Sequence, residues 1–226
     1  MKLFMWTSLA IAAVAMTSCG GGKTGSSASS DALLFGAVPG IYLDYEQETN
    51  ALLEEAQACD NPKDLQAINE KGEALKENLK GELEKAAQAW SGTTLEVTTS
   101  EELKVNAPLT VTFDGFASST SPKFTLAGDI ETTQEINANY NEDLLKYYST
   151  RQNELLTYGV LLIGLDEQGQ EITSQRIGSL QLAWANDQVV ISAGTKVVFD
   201  DKLTFMEKKA EAYTKIKSLK IKADNK

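Results

Sequence analysis

Three acidic doublets are the residues best suited by type and spacing to do chemistry: Glu142 with Asp143, Asp166 with Glu167, and Asp200 with Asp201. Two carboxyl groups held about 5–10 Å apart can hydrolyse a glycosidic bond. In a chain of 226 residues with 32 acids, however, adjacent acids are common, and each doublet falls near an expected loop or turn. They read as solvated turns. No histidine is present, which excludes a Ser-His-Asp triad and removes the commonest zinc ligand. LDEQGQEI, residues 165–172, imitates a calcium loop but lacks a distant bidentate glutamate and spans too little chain. It reads as a hairpin turn. GGGK at residues 20–23 lacks the spacing of a phosphate-binding loop. These observations predict a chain that is not an enzyme and that uses no metal or cofactor.

Aromatic side chains are the other candidates. Tyr147 and Tyr148 lie in one segment with Tyr158 close behind, and Trp184 follows on a later strand. If exposed, such rings stack on sugar faces or anchor a protein partner. If buried, they pack that segment onto the body. A net charge of −11 repels phosphate backbones and argues against nucleic acid as a partner. Cys19 and Cys59 are the two cysteines. A disulfide framework is excluded if Cys19 is modified, and Cys59, on the apolar side of a helix end, is expected to be a buried structural thiol.

The elements that position these groups begin after a Gly/Ser linker, GGGKTGSSASSD, which is flexible and cannot bury anything. ALLFGAVPG, residues 32–40, is apolar with a turn signal at Pro39-Gly40 and is expected to lie against the body. From about Tyr42 to Cys59, Tyr45, Leu52, Leu53, Ala56 and Cys59 share one helical face. DNPKD breaks the pattern, with Asn61 suited to cap and Pro62 to start a second helix. That helix runs to about Trp90, carrying Leu65, Ile68, Gly72, Leu75, Leu79, Ala86 and Trp90 at near-heptad spacing. Two such helices with a tight break read as a hairpin. After Ser91-Gly92 the period becomes two, and strand-sized runs rich in Val, Ile, Thr and Phe follow. Asn106-Ala107-Pro108 and Ser121-Pro122 read as breaks.

The expected fold is α+β: an N-terminal helical hairpin followed by an antiparallel, immunoglobulin-like β-sandwich. A short inserted helix is expected over residues 141–156, where Leu144, Leu145, Tyr148, Leu155 and Leu156 are helically spaced. The lysine-rich tail is expected to start as a helix near Met206. It should end as an edge strand through Ile216, Leu219 and Ile221, its lysines guarding that edge.

The first nineteen residues, MKLFMWTSLAIAAVAMTSC, place Lys2 before an apolar run from Leu3 to Met16. The run is shorter than the roughly 20 residues a spanning helix needs and suits a signal peptide. Small residues Thr17 and Ser18 lead straight into Cys19. This resembles the lipobox of bacterial lipoproteins, with Met16 where leucine is usual. The resemblance covers residues 1–22 and implies cleavage before Cys19, a diacylglycerol on its thiol and acylation of the new amino group. Two or three chains, at about 0.8 kcal/mol for each buried CH₂, hold a protein at a membrane essentially permanently. Gly20 after the cysteine, with no aspartate and no acidic run, implies by the same resemblance the periplasmic face of the outer membrane. The chain therefore divides into a signal peptide (1–18), the lipidated cysteine and linker (19–40), the helical hairpin (41–91) and the β-sandwich with its inserted helix and C-terminal helix and strand (92–226). The function expected is that of a membrane-anchored, non-catalytic interaction or scaffold module with a protein partner in the envelope. The alternative is a glycan- or peptide-binding lipoprotein using Tyr147, Tyr148, Tyr158 or Trp184. A carboxylate-based hydrolase ranks last.

Overall fold

A computed structural model describes residues 32–137, 157–181, 183–185 and 188–224. The expected signal peptide, Cys19, and the expected inserted helix over 141–156 with Tyr147 and Tyr148 lie outside the described residues. Among the described residues the architecture is mixed α+β, with three α-helices and sheets that are antiparallel but for one short parallel pair.

The described chain starts with a buried loop. Ala32 N donates to Gly36 O at 3.0 Å and closes residues 32–36 on themselves. Phe35 sits inside this loop at φ 71°, in the left-handed region that a bulky side chain rarely adopts. Its ring offsets that strain by complete burial among Trp90, Phe124, Phe205 and Tyr213, at centroid distances of 4.8–5.7 Å. Gly36 follows at φ 56°, and a Cβ there would lie 3.2 Å from the Trp90 side chain. Leu34 and Val38 are buried beside Phe35. The apolar stretch before the helix thus lies against the body, as its composition predicts.

Helix α1 spans Val38–Ala58 and α2 spans Pro62–Trp90. Pro39 and Gly40 form the first turn of α1, not the turn their pairing suggests; proline is tolerated there because no earlier carbonyl is available to its missing N–H. Asn61 caps α2 by accepting from Lys63 N at 3.1 Å. The two helices lie against one another, and Lys71 reaches Glu55 at 3.4 Å. Ile68 and Leu79 are buried while Leu65 and Leu75 are half-buried, so the near-heptad stripe is covered, not an open face. Leu83 and Ala87, between Leu79 and Trp90, are fully buried and continue the stripe into the main core.

The strands are β1 (Thr94–Leu95), β2 (Thr98–Thr99), β3 (Leu103–Ser118), β4 (Ser121–Thr132), β5 (Ile136–Asn137), β6 (Thr157–Leu165), β7 (Glu171–Gln181), β8 (Ala183–Ala185), β9 (Gln188–Ile191), β10 (Lys196–Thr204) and β11 (Ser218–Ala223). A 3₁₀ turn, Glu207–Lys209, and helix α3, Ala210–Thr214, precede β11. One sheet runs β1-β3-β4-β10, a second β2-β11-β6-β7, and a small third β5-β9-β8. A single apolar cluster joins the N-terminal loop and both long helices to the two larger sheets, through Leu109, Phe124 and Leu126 of the first and Leu162, Ile177 and Ile221 of the second.

Three local expectations change. TLEVT is not one strand: β1 pairs with β3 in the first sheet and β2 with β11 in the second, so this short segment steps between sheets. Asn106-Ala107-Pro108 does not break the chain. It sits inside β3, where register shifts between Val105 and Thr110 absorb the proline against β4. The C-terminal strand is not a bare edge. β11 pairs antiparallel with β6 along its whole length, and β2 covers part of its other side in parallel, with Thr98 Oγ1 donating to Leu219 O at 3.1 Å. Leu219, Ile221 and Ala223 are buried in the alternation the sequence suggests.

Gly128 of β4 lies opposite Phe199 of β10, and a Cβ there would come within 2.6 Å of the Phe199 ring. The glycine is what lets that ring lie across the strand.

Candidate functional site

Two of the three acidic doublets lie within the described residues, and neither turns both its carboxylates towards one site. Asp166 Oδ1 accepts from Gln168 N at 2.9 Å and Gln170 N at 2.8 Å, so its carboxylate shapes the β6–β7 turn. Glu167 is exposed, with Lys217 at 4.0 Å. Asp200 and Asp201 are successive residues of β10 and project to opposite faces. Glu142 and Asp143 lie outside the described residues. Cys59 is half-buried, not fully buried, because it lies one residue beyond the end of α1; its thiol donates to Asn61 O at 3.5 Å. Tyr158 is on β6 opposite Leu180, and Trp184 on β8 opposite Val189. They stand in different sheets.

The solvent-facing side of the first sheet carries two charge clusters that satisfy themselves. Asp114 accepts from Thr125 and from Lys202, the latter at 3.0 Å. The Thr125 hydrogen bond is the main cause that holds its carboxyl below the usual range, with Lys202 adding to it. Glu131 reaches Lys104 at 3.3 Å and Lys196 at 3.9 Å and accepts from Asn106 at 3.3 Å. The Lys104 hydrogen bond contributes most to its lowered pKa. Both clusters read as inter-strand ties on an exposed face.

A cleft that sequence reasoning missed lies where α1, β7 and α3 meet. It encloses about 390 Å³ and is lined by Tyr42, Leu43 and Glu46 of α1, Ile172 of β7, Glu207 and Lys208 of the 3₁₀ turn, and Ala210, Glu211, Ala212 and Lys215. The helical period puts Tyr42 and Glu46 on one face of α1, one turn apart. α3 packs against α1 and presents its small residues to the cleft.

Glu207 organises the polar side. Its Oε2 accepts from the Tyr42 hydroxyl at 3.3 Å. Its Oε1 accepts from Thr120 and, at 3.5 Å, from Ser121 in the β3–β4 turn. Among the described residues its hydrogen-bond partners are therefore neutral hydroxyls. Burial holds the Tyr42 phenol well above its ordinary pKa, and the negative charges of Glu207 and Glu46 push it further the same way. Behind it, burial pushes the Tyr213 phenol up to about 12, opposed by a backbone hydrogen bond with Met206. Lys215 is taken by Glu211 at 2.6 Å.

The arrangement combines a half-apolar wall with two carboxylates, Glu46 and Glu207, that have no ion-pair partner among the described residues, whereas Glu211 is paired with Lys215. It can hold a cationic group beside an apolar one. Among the described residues no cluster of three or more acidic or cysteine side chains is placed to hold a metal ion. The cleft was hard to find from the sequence because Tyr42 and Glu207 are 165 positions apart. The available signal was a tyrosine and a glutamate one turn apart at the start of a helix. Comparison with protein-family models, curated proteins and solved structures finds no match to this chain, so its residues and geometry alone carry the functional reading.

Proposed function

We propose that this chain is a membrane-anchored cell-envelope lipoprotein that acts as a non-catalytic interaction or scaffold module, on the periplasmic face of the outer membrane. The observation that carries the reading is Cys19, at the end of a leader-length apolar run and followed by a glycine-rich linker. Acyl chains on that residue would anchor the protein, and the linker would let the body stand off the lipid surface. In this reading α1 and α2 act as a helical hairpin on an immunoglobulin-like β-sandwich, and the body contacts another envelope protein. The self-paired charges on the first sheet and the absence of histidine favour binding over catalysis.

Metabolic labelling with an alkyne fatty acid, followed by mass spectrometry of the mature N-terminus, tests the anchor. The expected result is acylated Cys19, with labelling and membrane association lost in Cys19→Ala. A mature N-terminus that is unacylated and begins elsewhere overturns the reading. Crosslinking in intact cells tests the partner: an envelope protein should be captured reproducibly by the wild-type chain and lost on release of the chain from the membrane.

A further inference from the structure

We propose that the cleft between α1 and α3 binds a peptide segment of the partner that presents a Lys or Arg side chain to Glu46 and Glu207 and an adjacent apolar side chain to Leu43, Ile172 and Ala212. The inference rests on the interaction-module reading and specifies its site and ligand chemistry.

Three observations carry it. The first is size: about 390 Å³ falls in the roughly 300–1,000 Å³ range of binding cavities and exceeds what one cationic head group fills. The second is charge placement. Glu207 is set in position by Tyr42, Thr120 and Ser121, from two other parts of the chain, and is hydrogen-bonded without being neutralised. A carboxylate held in place by hydroxyl donors loses little freedom when a cation arrives, so more of the charge attraction is realised on binding. Glu46, one turn along α1 from Tyr42, has no ion-pair partner among the described residues. The third is the apolar wall of Leu43, Ile172, Ala210 and Ala212, which favours a ligand with a greasy side chain next to its charge over a bare ion.

The opposing charges fit the same picture. Lys215 is occupied by Glu211 at 2.6 Å. Lys208 has no carboxylate partner among the described residues, and its ammonium suits the carbonyl oxygens of a bound backbone. A peptide satisfies all three groups at once, whereas a free small cation would leave the apolar wall and Lys208 unused.

The test is calorimetric titration of the full lipidated chain in detergent with the blocked tripeptide acetyl-Leu-Arg-Leu-amide. Saturable binding is expected at up to millimolar peptide, on the order of the weakest specific affinities. It should weaken about fivefold or more in Glu46→Gln, as expected for loss of one charge of a close pair, and vanish in Ala212→Trp, which fills the wall. Circular dichroism should show both variants folded. Replacing arginine by citrulline, which keeps the shape and removes the charge, should abolish binding. The proposal is overturned by absence of saturable binding, by equal affinity for the citrulline peptide, or by full binding in Ala212→Trp. Equal affinity for n-butylguanidinium also overturns it and assigns the cleft to free small cations. If the wild-type chain and both variants crosslink the same envelope partner in cells, this assignment fails while the interaction-module reading stands.

Discussion

The Tyr42 hydroxyl donates to Glu207 Oε2 at 3.3 Å, tying the first turns of α1 to the segment that leaves β10. With the packing of α3 on α1 and of Tyr42 on Phe205, this contact joins the N-terminal helices to the C-terminal third of the chain on the wall of the cleft. Tyr42→Phe keeps the ring contacts with Phe205 and removes the donor, leaving Glu207 with Thr120 and Ser121. The expected loss is about 0.5–1.5 kcal/mol, measured as a lower urea midpoint with an unchanged slope.

Phe35→Ala is expected to be the most damaging single truncation. The side chain is fully buried among four aromatic partners, and emptying such a site costs about 3–5 kcal/mol. Equilibrium unfolding should show this loss. A cost below about 1 kcal/mol would mean that the 32–36 loop does not hold the core as described.

Alkaline pH should weaken the fold. Tyr213 titrates near 12 when folded and near its ordinary 10.0 when unfolded. The unfolded chain therefore releases that proton first, and stability falls as pH rises from about 10 towards 12. Tyr42, also shifted upward, acts in the same direction. Below pH 10 both contributions are fully present. Urea unfolding at a series of pH values should show the decline, and Tyr213→Phe should flatten part of it, on the order of 2–3 kcal/mol at the limit.

Gly128→Ala is expected to destabilise by about 1–3 kcal/mol, the usual cost of forcing extra volume into a packed site, because its Cβ would lie 2.6 Å from the Phe199 ring. Phe199→Leu in the same chain should recover part of that loss by removing the obstructing ring. Thermal unfolding of the two single variants and the double variant gives the coupling between them. Strict additivity would remove the steric explanation.

Asn61→Ala tests the helix start. The Asn61 side chain accepts from Lys63 N at 3.1 Å in an exposed position, so its removal should cost about 1 kcal/mol and leave the cleft unaffected. Stability and peptide titration on the same sample separate the two effects.

The helices and the long strands were legible because their signals are local. Asn61-Pro62 marks the start of α2, the 3.6-residue spacing sets its buried face, and Asp166 with its neighbours marks a turn between two runs of alternation. Phe35 was less legible. A phenylalanine followed by glycine reads as loop, and its burial depends on rings contributed by Trp90, Phe124, Phe205 and Tyr213, which only tertiary contact assembles. The split of Thr94–Leu95 and Thr98–Thr99 between two sheets was likewise invisible, because alternation gives the period of a strand and not its neighbour. The cleft was least legible of all: α1, β7 and the segment 207–215 build it, and only tertiary contact brings Tyr42 to Glu207.

The 32–36 loop also decides where the molecule bears load. A pull transmitted along the chain from its N-terminal side meets the Ala32–Gly36 hydrogen bond and the Phe35 ring before it reaches any strand. Such a pull is therefore met first by a wedge of packed rings, before any hydrogen-bonded ladder.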